Sequence, residues 1–540
     1  MINLVTLNSL ARVFPTYDLP IDCKKTKGSM LKNEVYAFQL AYKFEGNIPW
    51  SISIGLEVDH DLGEALSWRN VELVPCDFPM YPGQDPAGLE HPEAFAYPDV
   101  LRPGNCPFWI YNDRWCTLWF TIDGSKYKVK PGKHKIKIKV KCMNEEAEAA
   151  FTIDIKDKKL PKQKLVCTNW FHTDCLCQYY NVEFNSERYW EITENFARTA
   201  YEHGNNMLLT PLFTPPLDTV PGGERMTIQL VGVEKKGDKY KFDFTLLKRW
   251  IDMCKRIGIE YIEMSHLYTQ WGCYHAPKIM ATVDGEYKKI FGWETDSHGE
   301  EYKNFLGQFL PELIEFVKAE GIAKKCYFHV SDEPNVDMLE SYKEGAEFLM
   351  SYLKDFKRFD ALSDIEIFKT GCIPCPVPAV DHMDKFLEEN IKERWTYYCC
   401  GQINKVTNRF LVFPSVRNRI LGQQLYKYDI KGFLQWGYNF YNSQGSIRPV
   451  DPYSTTTGGG WVPGGDTFVV YPNYDGTALS SIRFEVFREA LQDHRALQAL
   501  EKKLGREEVE KLLGKKLSFT EYSMDPNKMI KLREKINELL

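Results

Sequence analysis

Lys325-Cys326-Tyr327-Phe328-His329-Val330-Ser331-Asp332-Glu333-Pro334 is the stretch that decides how this chain reads. An apolar run of strand length enters two adjacent carboxylates and is stopped by a proline. Proline lacks an amide donor and biases the residue before it away from helical angles, so the strand ends there. A helical pattern follows over 338–359. Strand, polar loop and helix together make one β-loop-α unit.

The same unit recurs on both sides. Strand candidates fall at 165–172, 206–214, 260–269, 325–333, 368–373, 394–401, 432–439 and 467–472. Helical patterns at 186–203, 245–257, 302–320, 338–359, 381–390, 415–428 and 481–500 follow most of them. Apolar strands interleaved with helices indicate a parallel sheet covered on its faces. Eight repeats predict an α/β fold, a (β/α)8 TIM-like barrel spanning 159–501. An open doubly wound sheet competes, but no Gly-rich phosphate loop follows the first strand. Upstream the period changes. Lys135-Ile136-Lys137-Ile138-Lys139-Val140 alternates polar and apolar, as do 51–58 and 149–155, which predicts an N-terminal β-sandwich over 1–158. Residues 502–540 read as a short charged helical tail packed on the barrel's outside.

Composition narrows the function. With 68 basic and 74 acidic residues among 540, the formal charge is −6, unlike a nucleic-acid binder with its clustered basic excess. The Lys135–Lys141 strand face reads as a solvated surface. Aromatic residues make up 14%, which suits the stacking of sugar rings and equally suits plain cores. The 15 cysteines form no disulfide ladder, and pairs such as Cys372 and Cys375 lack histidine partners, so neither a metal nor a cofactor is expected. No run of 18 apolar residues occurs and the opening residues lack an export pattern, so no membrane span and a cytoplasmic location are expected.

In such barrels chemistry sits at the carboxyl ends of the strands. Two like charges there, partly desolvated, raise each other's pKa, the means by which a carboxylic acid stays protonated near neutral pH. The bland alternative is a helix start, where anions are favoured. A glycosidase ordinarily needs a second catalytic carboxylate, about 5 Å away in retaining enzymes. In many barrel glycosidases it ends the seventh strand, but here the seventh candidate, Gly432-Phe433-Leu434-Gln435-Trp436-Gly437-Tyr438-Asn439, carries none. The nucleophile then comes from elsewhere. A 2-acetamido sugar supplies its own, through its carbonyl oxygen and an oxazoline intermediate.

At this point the chain resembles glycoside hydrolase family 123, the β-N-acetylgalactosaminidases and their relatives. The residues that carry the likeness are Ser331-Asp332-Glu333-Pro334, Trp170-Phe171-His172-Thr173-Asp174 and Gly432-Phe433-Leu434-Gln435-Trp436. Asp451-Pro452-Tyr453, Tyr471-Pro472 and Ser480-Ser481-Ile482-Arg483 with Arg488 and Asp493 agree. The resemblance implies retaining, exo-acting release of terminal β-linked N-acetylgalactosamine, notably from glycosphingolipid glycans. It implies that Asp332 orients the acetamido group and steadies the oxazolinium, and that Glu333 is the general acid/base. The expected partner is therefore an oligosaccharide or glycolipid glycan ending in β-GalNAc.

Around the pair, Trp170, His172 and Asp174 close the first strand and are candidates to bind sugar hydroxyls, or to form a hydrogen-bonded turn. Trp436 is a candidate to stack under the sugar, with Tyr438 alternating beyond it. Tyr397 and Tyr398 project to opposite sides, so one of them is expected to reach the acetamido carbonyl, with Tyr397 preferred. Trp271 and Trp461 sit on long loops as candidate walls. Two rivals remain open: a barrel glycosidase pairing Glu333 with Glu263, Asp296 or Asp451 as nucleophile, and a non-catalytic glycan-binding protein.

Overall fold

The computed structural model describes residues 1–48, 51–104 and 108–540. The amino-terminal part is two packed sheets. One runs Ile2–Asn8, Val35–Phe44, Cys116–Asp123, Leu66–Cys76, Phe95–Pro103; the other runs Lys27–Leu31, Glu145–Lys156, Gly132–Cys142, Gly55–Asp59. Alternation explains the packing. In Gly132–Cys142 the residues Ile136, Ile138 and Val140 are fully buried while the lysines between them face outward. Lys137 and Lys139 pair with Asp59 at 3.0 Å and Glu148 at 3.0 Å on the strands either side. Phe38 stacks on Phe120 at 4.9 Å within its own sheet and on Phe151 at 4.1 Å across the core.

The rest of the chain is mixed α/β. Parallel ladders join Val166–Asn169, Gly432–Gln435 and Trp395–Tyr397 in one sheet, and Met207–Thr210, Tyr261–Met264, Cys326–Phe328 and Lys357–Arg358 in another. Asp360–Ala361 pairs with Pro376–Val377. Among the described residues, these ladders are not linked into one closed ring of paired strands.

Two strand expectations are corrected. Residues 368–373 are not a strand: Asp364 caps the helix Ile365–Lys369 by accepting from the Glu366 amide at 2.8 Å, and a turn follows. The segment 467–472 contributes Val470–Pro472, which pairs antiparallel with Ala478–Ser480. The strands that take their places, Lys357–Ala361 with its break at Phe359 and Pro376–Val377, are short and carry charge or proline. Among the described residues, Gly432–Gln435 is therefore the last parallel strand of the α/β part, pairing with that part's first, Val166–Asn169, and Trp395–Tyr397 precedes it. The helix after Cys326–Phe328 also ends sooner than its pattern predicts, at Leu353.

The helix Ile482–Leu504, capped by Ser481, joins the two parts. Arg483 donates from Nη2 to Asp99 at 2.9 Å and from Nη1 to the Gly465 and Phe468 carbonyls at 2.6 and 3.0 Å. Arg419 pairs with Glu489 at 2.7 Å and Asp493 at 2.8 Å. The tail helix Pro526–Leu539 lies against both parts rather than on the α/β part alone: its Arg533 meets Asp493 and Glu34 of the amino-terminal part, and Asn537 donates to the Ser29 carbonyl at 3.0 Å. No helix among the described residues is long and apolar enough to cross a membrane.

Candidate active site

The strand Cys326–Phe328 continues as extended chain into Asp332 and Glu333, the first half-buried and the second exposed. Glu333 has φ +42°, a left-handed conformation costly for a residue with a Cβ. Its amide is held by the Ala361 carbonyl at 3.2 Å, and the Trp271 amide donates to the Asp332 carbonyl at 3.1 Å. The strand Trp395–Tyr397 brings the Tyr397 hydroxyl to donate to Glu333 Oε1 at 2.5 Å. Burial, reinforced by the charges of Glu333 and Asp218, holds the Asp332 carboxyl well above the usual range. Of the two acids, the burial that favours the protonated form falls on the aspartic acid. A cavity of about 570 Å³ opens from Glu333, Pro334 and Tyr397 and is lined beyond them by Glu366, His382 and Gln402.

Beneath the pair lies a buried charged group. His329 Nε2 faces Glu263 at 2.8 Å and Nδ1 faces Asp360 at 3.1 Å. These partners outweigh burial and push its pKa up to about 9, so it is an imidazolium at neutral pH. Asp360 also accepts from the Val330 amide at 3.1 Å and from the Tyr342 hydroxyl, and so fixes the chain leading to Asp332. His266 stacks on His329 at 3.9 Å. His266, His329 and Asp360 thus lie within 4.8 Å of one another, a spacing that sequence does not reveal.

The other candidate residues fall into three groups. Tyr397 and the exposed Trp271 border the carboxylate pair. Trp436 is buried and donates from Nε1 to Asp466 at 2.8 Å, with its ring 5.9 Å from Trp461. The remainder are engaged in the scaffold. Trp170 donates to Glu263 at 2.7 Å. Asp174, a candidate for sugar hydroxyls, instead receives Arg225 through two bonds, of 2.8 and 2.7 Å. His172 is spanned between Arg225 and the Trp436 carbonyl at 2.8 Å, and burial with the Arg225 charge lowers its pKa to about 4. Tyr438 donates to the Phe196 carbonyl at 2.8 Å, and Tyr398 is buried against Phe433.

Two acids escaped sequence reasoning. Asp466 is fully buried, its carboxyl pushed up to about 6 by burial. Asp218, on the loop after Met207–Thr210, is pushed up to about 7 by burial and by the nearby charges of Glu333 and Asp466. The only signal in the sequence was their position in long irregular loops beyond strand ends. Of the rival nucleophiles, Glu263 is fully buried and takes bonds from Thr168, Trp170 and His329, while Asp296 and Asp451 are exposed and bond to backbone amides of His298 and Tyr453.

A family 123 glycoside hydrolase from Clostridium perfringens, whose structural analysis concerned glycolipid glycan hydrolysis, is similar with a TM-score of 0.76 at 14% identity, over 100% of this chain and 97% of that one. Bacteroides uniformis β-glucuronidase 3 reaches only 0.34 at 10% identity over 90% and 52% of the two chains, and the Thermotoga petrophila endo-β-1,4-mannanase 0.35 at 12% over 63% and 78%. No curated protein sequence matches. The family model described as the glycoside hydrolase 123 catalytic domain matches residues 170–500, well over half of the sequence, and the chain belongs to glycoside hydrolase family 123.

Proposed function

We propose that this chain is a retaining exo-glycosidase that removes terminal β-linked N-acetylgalactosamine from glycolipid-type glycans, using the sugar's own acetamido group as nucleophile. The observation that carries the reading is the Asp332-Glu333 pair, with Asp332 desolvated and Glu333 open to a cavity. The neighbouring strand ends support it, since Trp395–Tyr397 and Gly432–Gln435 run out into Tyr397 and Trp436 rather than into a carboxylate. The acetamido N–H approaches Asp332 and stabilises its anion. The proton that Asp332 releases passes to Glu333, which delivers it to the glycosidic oxygen as the C1–O bond breaks. The acetamido carbonyl oxygen closes on C1 to form the oxazolinium. Glu333 then takes a proton from water, which attacks C1, reopens the ring and leaves the β-configuration unchanged. Tyr397 steadies Glu333 throughout.

On the same reading, the parallel ladders are arcs of one (β/α)8 barrel with this site at its carboxyl-end mouth. The Ala379–Tyr397 bridge and the bond from the Cys167 amide to the Asn206 side chain at 2.8 Å are what support joining them.

Asp332→Asn and Glu333→Gln should each lower kcat on an aryl β-GalNAc by about 10²-fold or more, the usual worth of general acid–base catalysis. Near-normal turnover by either variant ends the assignment. A thiazoline mimic of the oxazoline should inhibit strongly; weak inhibition with intact turnover would favour a protein nucleophile.

A further inference from the structure

Asp218 occupies a position that packing alone does not explain. It sits on the long loop after Met207–Thr210 in a left-handed conformation, φ +55°, that a residue with a Cβ seldom adopts. The loop is fastened on every side to keep it there. Gln270 accepts from the Asp218 amide at 2.8 Å, and Ser446 donates to the Asp218 carbonyl at 2.7 Å. One residue earlier, Arg225 Nη1 donates to the Leu217 carbonyl at 3.0 Å; one residue later, Gln270 donates to the Thr219 carbonyl at 3.3 Å.

All of these bonds go to the backbone. The side chain is left over: Asp218 Oδ2 is buried and has no hydrogen-bond partner among the described residues. The nearby cation, Arg225, spends Nε and Nη2 on Asp174 and Nη1 on the Leu217 carbonyl, and makes no bond to the Asp218 carboxyl. A buried carboxyl oxygen without a partner is costly in a resting scaffold and needs a reason. Strained backbone held by a rigid surround is also characteristic of sites that meet a ligand. The groups whose charges act on Asp218 are Arg225, Glu333 and Asp466, and Asp218 in turn perturbs Asp332. Geometry ties it to the carboxylate pair as well: Gln270, which holds the Asp218 amide, adjoins Trp271, whose amide donates to the Asp332 carbonyl at 3.1 Å.

We infer that Asp218 is a substrate-binding residue whose carboxyl takes the vicinal C3 and C4 hydroxyls of the pyranose that Asp332 holds by its C2 acetamido group. This rests on the reading of the pair as an N-acetylhexosaminidase site. Two carboxyl oxygens match two adjacent hydroxyls, and C3 neighbours the carbon that Asp332 addresses. The C4 hydroxyl is where GalNAc and GlcNAc differ, so Asp218 is a specificity-determining group as well. The Trp170-Phe171-His172-Thr173-Asp174 motif then acts on the sugar at one remove. Its Asp174 fixes Arg225, Arg225 fixes Leu217, and Leu217 presents Asp218.

The test is a cycle between protein and substrate. Wild type, Asp218→Asn and Asp218→Ala are assayed on an aryl β-GalNAc and on its 3-deoxy, 4-deoxy and 6-deoxy analogues, with thermal melting of each protein to confirm folding. Asp218→Ala should reduce kcat/KM on the parent by about 10- to 100-fold, the worth of hydrogen bonds to a buried polar group. On the 3-deoxy and 4-deoxy analogues the same substitution should cost less than about 3-fold, while on the 6-deoxy analogue it costs as much as on the parent. A penalty equal on all four substrates, or coupling confined to the 6-deoxy analogue, overturns the inference. Calorimetric titration of free GalNAc and 4-deoxy-GalNAc reads the same cycle without chemistry. Binding with no turnover by wild type would sink the hydrolase reading and still judge Asp218.

Discussion

His329 is a buried imidazolium between two carboxylates, and its protonation is tied to folding. Its folded pKa, about 9, lies above the ordinary histidine value of about 6.5. The bonds to Glu263 and Asp360 therefore stabilise the fold fully below pH about 6.5, and that stabilisation is lost as pH rises through about 9. The melting temperature of wild type should fall across this window more steeply than that of His329→Asn. Parallel slopes would mean that the ring is not charged in the fold. The adjacent Asp332-Glu333 pair was legible in the sequence because a strand, two acids and a proline stand in line. The charges below it were not, because Glu263 and Asp360 lie on two different strands, His329 follows the end of a third, and nothing local marks them as partners.

Elements were legible where they bury apolar surface in regular alternation. The helix Thr245–Ile257 coincides with its pattern because Leu247, Trp250, Ile251 and Cys254 recur at helical spacing and Gly258 ends it in a left-handed cap. The strand Lys357–Ala361 fails the same test. Its buried residues include Arg358 and Asp360, so the chain reads as more helix. Of the run from 432 to 439 only Gly432–Gln435 is strand, and the two short strands Asp360–Ala361 and Pro376–Val377 before it carry no apolar signature that sequence could register. The Trp170–Asp174 turn has a testable role at this scale. Asp174→Asn removes the charge that Arg225 requires and frees the 217–219 loop. It should lower kcat/KM on aryl β-GalNAc at least 10-fold, since breaking a buried ion pair costs about 3–5 kcal/mol, with a drop in melting temperature. Unchanged kinetics in a folded variant would separate the clamp from the site.

At the scale of the whole molecule, the two parts are fastened by buried charge. Asp99 sits on the strand Phe95–Pro103 and receives Arg483 and the Tyr471 hydroxyl, the latter at 2.7 Å. Arg483 also binds the carbonyls on either side of Asp466. A sandwich residue thereby holds the loop that carries the Trp436 partner. Asp99→Ala should lower stability by the same amount, about 3–5 kcal/mol, with a sharp drop in melting temperature, and reduce kcat/KM although it lies outside the site. A variant that melts lower but turns over normally would show that the loop needs no such support. None of these contacts was legible, because Asp99 and Arg483 are far apart in sequence and each looks locally like an ordinary surface charge.

The Asp99–Arg483 link also bears on how the gene can be handled. An expression plasmid trimmed to codons 170–500 would discard Asp99 and strand a guanidinium in an apolar seam. The product should go into inclusion bodies, so directed evolution of this enzyme has to carry its first 160 or so codons as an integral part of the catalyst.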